Sequence, residues 1–395
     1  MAEPLALNPY AWDFHEDPFP IYKRLRDEAP LYRNDDLGFW ALTRHADVLD
    51  AFRKPLLFSN ARGVALEAMS EHAPRIMSML GMDPPDHDGI RGLVSKVFTP
   101  RRVKDLEPSI RARSVELIEA FAERGEAEFI DEFAGILPMD VISEIIGIPV
   151  EDRAEIRRLA DLVVHREEGK PDVPPEGAAA SGKMLQYFHD DVKARRAKGG
   201  DDGLVEGLLQ AEIDGQRLDD NQIVAFLFLM SVAGNETTTK LLGNALVCLQ
   251  RNPGEREKVD RDPGEIANWV EETLRYEASS QILYRSMGED AELFGRQLKK
   301  DDPVALVIGS ANRDERVFDD ADRFDLSRSF KQSLAFGQGT HFCLGASLAR
   351  LEGRVALEEV QRHLKSWRVD ESGLERIHSG NVRGYAHVPI SFTAA

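Results

Sequence analysis

Cys343 lies in the string Phe336-Gly337-Gln338-Gly339-Thr340-His341-Phe342-Cys343-Leu344-Gly345-Ala346 and is one of two cysteines in the chain. A thiolate can hold haem iron, where it pushes electron density that favours O–O cleavage. The neighbours suit such a site. Gly339 can take a positive φ, so the loop can double back; Gly345 has no Cβ, so backbone can lie against a flat macrocycle. The pattern after Gly345 is helical, and a helix N-terminus favours a negative sulfur. Phe336 would shield the sulfur from water. A zinc site needs about four ligands with recognisable spacing. Cys343 and His341 have no partner cysteines for that.

A second constellation is Ala233-Gly234-Asn235-Glu236-Thr237-Thr238. It interrupts a run from Asp219 to Arg251 that reads as one helix, with Asp219 and Gln222 as a capping box and Pro253 just beyond the end. Glycine, asparagine and adjacent threonines are poor formers of helix interiors, and a threonine hydroxyl can bond the preceding turn and bend it. The residues Phe226 to Val232 are apolar all round, which predicts burial. Two further spacings matter. In Asp83-Pro84-Pro85-Asp86-His87-Asp88-Gly89-Ile90-Arg91, the prolines precede a helix start, and His87 and Arg91 share a face. Glu272 and Arg275 stand three apart on a predicted helix and can pair.

Four strings together resemble the cytochrome P450 family. The cysteine loop matches F-x-x-G-x-x-x-C-x-G at Phe336, Gly339, Cys343 and Gly345. The helix interruption matches A/G-G-x-D/E-T-T, and the E-x-x-R and D-P-P-x-H-x-x-x-R strings are present. The resemblance runs from about Asp13 to Phe392. It implies a mainly α, single-domain fold over 1–395, with a large helical lobe and a small β-rich lobe. It makes Cys343 the axial ligand of haem b and gives Glu236 and Thr237 the delivery of protons. Ala233 and Gly234 would keep the helix thin over the iron. His87, Arg91, Arg285 and His341 would bind the two haem carboxylates, for which arginine is the best fork. Glu272, Arg275 and Arg323 would be structural. Leu229, Val232, Ala233, Ser280 and Ile282 would line a substrate pocket. The implied reaction inserts one atom of O2 into a lipophilic small molecule (a fatty acid, branched lipid, terpenoid, steroid or polyketide). A peroxide-driven enzyme and a non-catalytic haem sensor are the alternatives. The chain departs from the family pattern at Gln338, at Ala321 and in Glu277-Ala278-Ser279-Ser280-Gln281.

The elements that must position these residues are mostly helical. Amphipathic runs dominate from about Asp86 to Glu277. Strand-like runs occur at 38–42, 304–308 and 387–392, which suggests a β-rich lobe built from distant segments. The stretch 168–175, rich in proline and glycine, reads as a loop, and the resemblance places it between two helices that cover the pocket. Met69, Met77, Met79 and Met82 cluster in a predicted loop over the haem, either as adaptable pocket lining or as core filling. The formal net charge of −19 argues against nucleic acid as a partner. Two cysteines cannot build a disulfide framework, which fits a reducing cytoplasm. The first residues lack the features of a signal or anchor, and the apolar run from Ile223 to Gly234 is too short to span a bilayer. No nucleotide fingerprint accompanies the site. Electrons are therefore expected from a ferredoxin and its reductase, with Arg101, Arg102 and Lys104 as candidates for the docking face.

Overall fold

The computed structural model describes residues 5–95, 98–167, 170, 172–198, 204–210, 212–213 and 216–394. Its centre is the helix Asp220–Arg251. Asp219 starts it with the expected capping box: the Gln222 N–H donates to Asp219 Oδ1 at 2.8 Å, and the Asp219 N–H to Gln222 Oε1 at 3.0 Å. Both ends of this helix are buried, over Ile223–Phe228 and Leu241–Leu249. A helix that is apolar all round must be covered on every side. The covering helices are Leu137–Ile146, Val150–Val164, Pro175–Lys198, Ile266–Tyr276 and Ala346–His363. Gly234 permits one close approach, since a Cβ there would meet Ile142 Cγ1 at 3.2 Å. The helices Val150–Val164 and Pro175–Lys198 flank the expected loop, of which Glu168, Gly169 and Pro171 lie outside the described residues.

Two of the three strand-like runs meet in one five-stranded sheet, ordered Leu31–Asn34, Phe39–Leu42, Pro303–Val307, Ile282–Met287, Phe58–Ser59. Trp40 pairs in parallel with Val304, and Val304 pairs antiparallel with Arg285. The third run is in a different sheet: Pro389–Ala394 lies between Leu364–Val369 and Glu126–Glu128. Ile308 leaves the strand to open a short helix.

Glu272 and Arg275 are fully buried and joined by two bonds of 2.7 Å. Arg275 also donates to the carbonyls of Asn312, Ala321 and Arg323 at 2.8–3.0 Å. All five guanidinium N–H groups therefore have acceptors. The expectation for Arg323 needs correction. Its guanidinium is 61% exposed and pairs with Asp325, and only its carbonyl reaches Arg275. The arginine that turns inward is Arg328, with Nε 3.5 Å from Glu272 Oε1. Arg328 is held there because its other nitrogens bond the carbonyls of Asp319, Asp320 and Arg323.

No single helix among the described residues is long and apolar enough to cross a membrane.

Candidate active site

The cysteine loop closes on itself. The Cys343 N–H donates to the Phe336 carbonyl at 3.0 Å and the Phe342 N–H to the Gly339 carbonyl at 3.1 Å. Gly339 has φ +71°, and a Cβ there would lie 2.5 Å from the Phe52 carbonyl. Glycine is required on both counts. Gly345 caps the helix Ala346–His363, and a Cβ on it would meet nothing within 4 Å, so one side of the loop is open beside the cysteine. Cys343 is hemmed in by neighbouring protein, yet its own surface is accessible. Burial pushes its thiol up from the usual value; the Gly345 N–H, Arg91 and Arg350 pull the other way. The helix start alone therefore does not make the sulfur negative; a metal held there would supply the rest, because a coordinated thiol is deprotonated outright. Phe336 is half-buried, with the Arg350 guanidinium 4.5 Å from its ring centroid.

The four expected carboxylate binders converge beside this loop. The rings of His87 and His341 are 4.2 Å apart between centroids. Arg91, one turn after His87 on the helix Asp86–Val94, donates to the Phe342 carbonyl at 2.6 Å. Burial, then the charges of Arg285, His87 and Arg91, hold His341 down to about 3. Arg285 is buried on its strand and donates to the neighbouring Tyr284 carbonyl. Burial lowers it to about 10, and it makes no ion pair among the described residues. Nε2 of His87 and Nε2 of His341 are buried without a hydrogen-bond partner. Buried polar groups are normally satisfied. Two orphaned ring nitrogens and a desolvated guanidinium, next to an accessible sulfur and an open glycine face, are the donor set that a haem with two carboxylates needs. The residues present fit haem b.

The central helix runs unbroken through the string that interrupts its pattern. Thr237 Oγ1 donates to the Ala233 carbonyl at 3.0 Å, the back-bond that bends a helix. Ala233 is exposed and Leu229, Val232 and Thr237 are half-buried, on a helix otherwise covered. Ser280 is half-buried and bridges to Val382. Ile282 is a correction: it is fully buried and packs with Leu7, Tyr22, Phe39 and Tyr284 in the core under the sheet. Successive strand residues face opposite sides. Leu283, not Ile282, shares the face that carries Arg285, and Leu283 is half-buried.

Glu236 is not a free acid. It is buried and lies 3.0 Å from Lys240 Nζ, which is buried too. On the helix Val150–Val164, burial and then the negative charge of Glu236 push the Asp161 carboxyl up to about 7. Lys240 stands four residues after Glu236, a favourable helix pairing that was open to reading in the sequence. Asp161 carried no such signal. Nor did the cluster in which Glu277 meets Arg313, Arg376 and Arg383.

The fold and this site define a mainly α haem-thiolate protein. The family model for cytochrome P450 matches residues 182–381. The chain is 51% identical over 393 residues to putative cytochrome P450 123 of Mycobacterium tuberculosis, covering 99% of this chain and 98% of that protein. A cytochrome P450 structure from Chondromyces apiculatus matches with TM-score 0.89 at 33% identity, covering 99% of this chain and 100% of that one. One from Bacillus megaterium, solved in complex with testosterone, matches with TM-score 0.88 at 30% identity, covering 96% and 99%. The chain belongs to the cytochrome P450 family, and it is a monooxygenase that binds haem b.

Proposed function

We propose that this monooxygenase hydroxylates or epoxidises a lipophilic small molecule of steroid-like size, working as one functional domain over 1–395 in the cytoplasm, with electrons from a ferredoxin and its reductase. The observation that carries the substrate class is the accessible apolar face of Leu229, Val232 and Ala233 on an otherwise buried helix. Half-buried Met69, Met77 and Met82 add adaptable apolar surface from the segment 63–82. The relative bound to testosterone supports the same class. When bound, haem b activates O2 for insertion into a C–H bond.

The chain's own residues do the rest. Cys343 holds the iron, while Phe336, Gly339 and Gly345 shape the loop that presents it. His87, Arg91, Arg285 and His341 bind the haem carboxylates. Thr237 donates to Ala233, so its oxygen is left to accept a proton-bearing partner from the open side of the helix. Glu236, one residue back, delivers protons. Arg101, Arg102 and Lys104 are exposed on the short helix Pro100–Asp105 and offer a local basic patch to an acidic electron donor.

The test is a titration of the haem-loaded protein with steroids, fatty acids and small polar compounds, read by the haem absorption shift. Turnover with a surrogate ferredoxin, its reductase, NADH and O2 follows, with mass spectrometry of the products. Steroid-scale ligands should shift the spectrum and gain one oxygen atom. Shifts confined to small polar compounds would refute the substrate class; product formed only with added peroxide would refute the electron route.

A further inference from the structure

The haem-carboxylate binders stand on separate elements: His87 and Arg91 on the helix Asp86–Val94, Arg285 on the strand Ile282–Met287, and His341 in the cysteine loop. A clamp for two carboxylates works only if those elements keep a fixed spacing, because hydrogen bonds weaken steeply when their donors are misaligned. The His341 ring packs on that of His87, and Arg91 is tied to the cysteine loop through the Phe342 carbonyl. Arg285 hydrogen-bonds the Tyr284 carbonyl on its own strand, so its place depends on what holds that strand. Asp83 joins the strand to the helix. Its carbonyl accepts from the His87 N–H at 3.0 Å. Its carboxylate accepts from the Ser59 hydroxyl through Oδ2 and from the Asn60 N–H, at 2.8 Å, through Oδ1. Ser59 lies opposite Ser286 in the antiparallel pairing of Phe58–Ser59 with Ile282–Met287, one residue from Arg285. Asp83 thus reaches from His87 to the neighbour of Arg285. The buried Asn60 side chain adds a parallel tie, donating to the Leu80 carbonyl at 2.9 Å.

The position asks for a carboxylate. Ser59 Oγ accepts from the Ala61 N–H at 3.0 Å, which leaves its own proton for Asp83. Two donors therefore converge, and an ionised carboxylate is a side chain that only accepts. Hydrogen bonds to a charged acceptor are also the strong ones. The same charge acts on the clamp: burial holds Arg285 down to about 10, and Asp83 pulls it back up. With both oxygens engaged by Ser59 and Asn60, Asp83 supports that guanidinium without occupying it.

We propose that Asp83 is the positioning residue of the haem-carboxylate clamp: it locks the helix of His87 and Arg91 to the strand of Arg285 and so sets where the two haem carboxylates are held. This rests on the haem-carboxylate role proposed for those three residues. The test uses the haem-loaded full chain and two readouts, the resonance Raman bands of the haem carboxylates and the rate of haem transfer to apomyoglobin. Asp83→Ala should shift the bands and speed the transfer at least about tenfold, the equivalent of one charge-assisted hydrogen bond. Asp83→Asn keeps an acceptor for Asn60 but loses the charge, and should fall between wild type and Asp83→Ala. Ser59→Ala, which leaves the carboxylate in place, should shift the bands the same way by less. If Asp83→Ala does not load haem, Asp83→Asn and Ser59→Ala carry the test. Unmoved bands in those two variants overturn the proposal, and so does faster transfer with unmoved bands, which a general loosening would give. Arg285→Lys separates the two readings. If it shifts the bands while the Asp83 and Ser59 variants do not, the link fails and the clamp stands; if it leaves them unmoved, the clamp itself is refuted.

Discussion

At the scale of single residues, one guanidinium links three chain segments. Arg275 joins Glu272 on its own helix to carbonyls at 312, 321 and 323. Lysine keeps the charge but offers three donors from one point, so at least two of those acceptors would lose their bond. Arg275→Lys should cost about 3 kcal/mol or more, the scale of a broken buried pair, read by denaturant unfolding of the haem-loaded protein. A loss under about 1 kcal/mol would refute this account. Arg323→Ala, with its exposed side chain, should change stability by less than about 0.5 kcal/mol. Cys343→Ser should leave the helical fold intact and abolish the red-shifted ferrous carbonyl band that a thiolate gives. Retention of that band would remove the sulfur from the metal site.

Among the elements, the cysteine loop is the one with least room. Gly339→Ala puts a Cβ at positive φ and against the Phe52 carbonyl. The expected outcome is a loss of about 2 kcal/mol or more and poor haem retention, measured by haem content after purification. Full haem content in that variant would show that the loop can shift. This loop and the central helix were legible in the sequence because their signals are local. Asp219 with Gln222, Thr237 with Ala233, and Phe336 with Cys343 each lie within about eight residues. Legibility failed where a side chain's direction depends on distant partners. Ile282 and Leu283 read alike until the strand's pairing with Pro303–Val307 fixes which one faces Arg285's side. Arg323 and Arg328 are both plausible guanidiniums for Glu272, and the turn carbonyls at 319 and 320 decide between them. Asp161 feels the charge of Glu236 only because two helices pack, and nothing in its own neighbourhood marks it.

On the scale of the whole molecule, acid should loosen the fold in two stages. His15 is buried, with Nε2 donating to the Pro9 carbonyl at 2.8 Å and Nδ1 lying 3.2 Å from Nδ1 of His378. Burial first, and His378 and Arg383 after it, lower His15 from 6.5 to about 4. Below pH 6.5 the unfolded chain binds a proton that the native residue refuses, so its contribution is complete above 6.5 and lost as pH falls to about 4. The loss is at most about 3 kcal/mol. Glu277, held down to about 2 by Arg383, Arg376 and Arg313 against the effect of burial, contributes above 4.5 and loses that contribution as pH falls toward 2. Denaturant midpoints should therefore drop steadily from pH 6.5 downward, and His15→Gln should flatten the upper part of that slope. An unchanged slope in His15→Gln would remove the histidine from the account. The parallel pairing of Trp40 with Val304 has a different consequence, one for synthesis. At about 5–20 residues per second, the ribosome releases the early hairpin tens of seconds before its third strand exists. Until then an apolar edge waits uncovered, open to sticking. Trigger-type chaperones should raise the yield of recoverable protein, and pulse-labelled nascent chains stalled before residue 303 should resist pelleting less well than full-length ones.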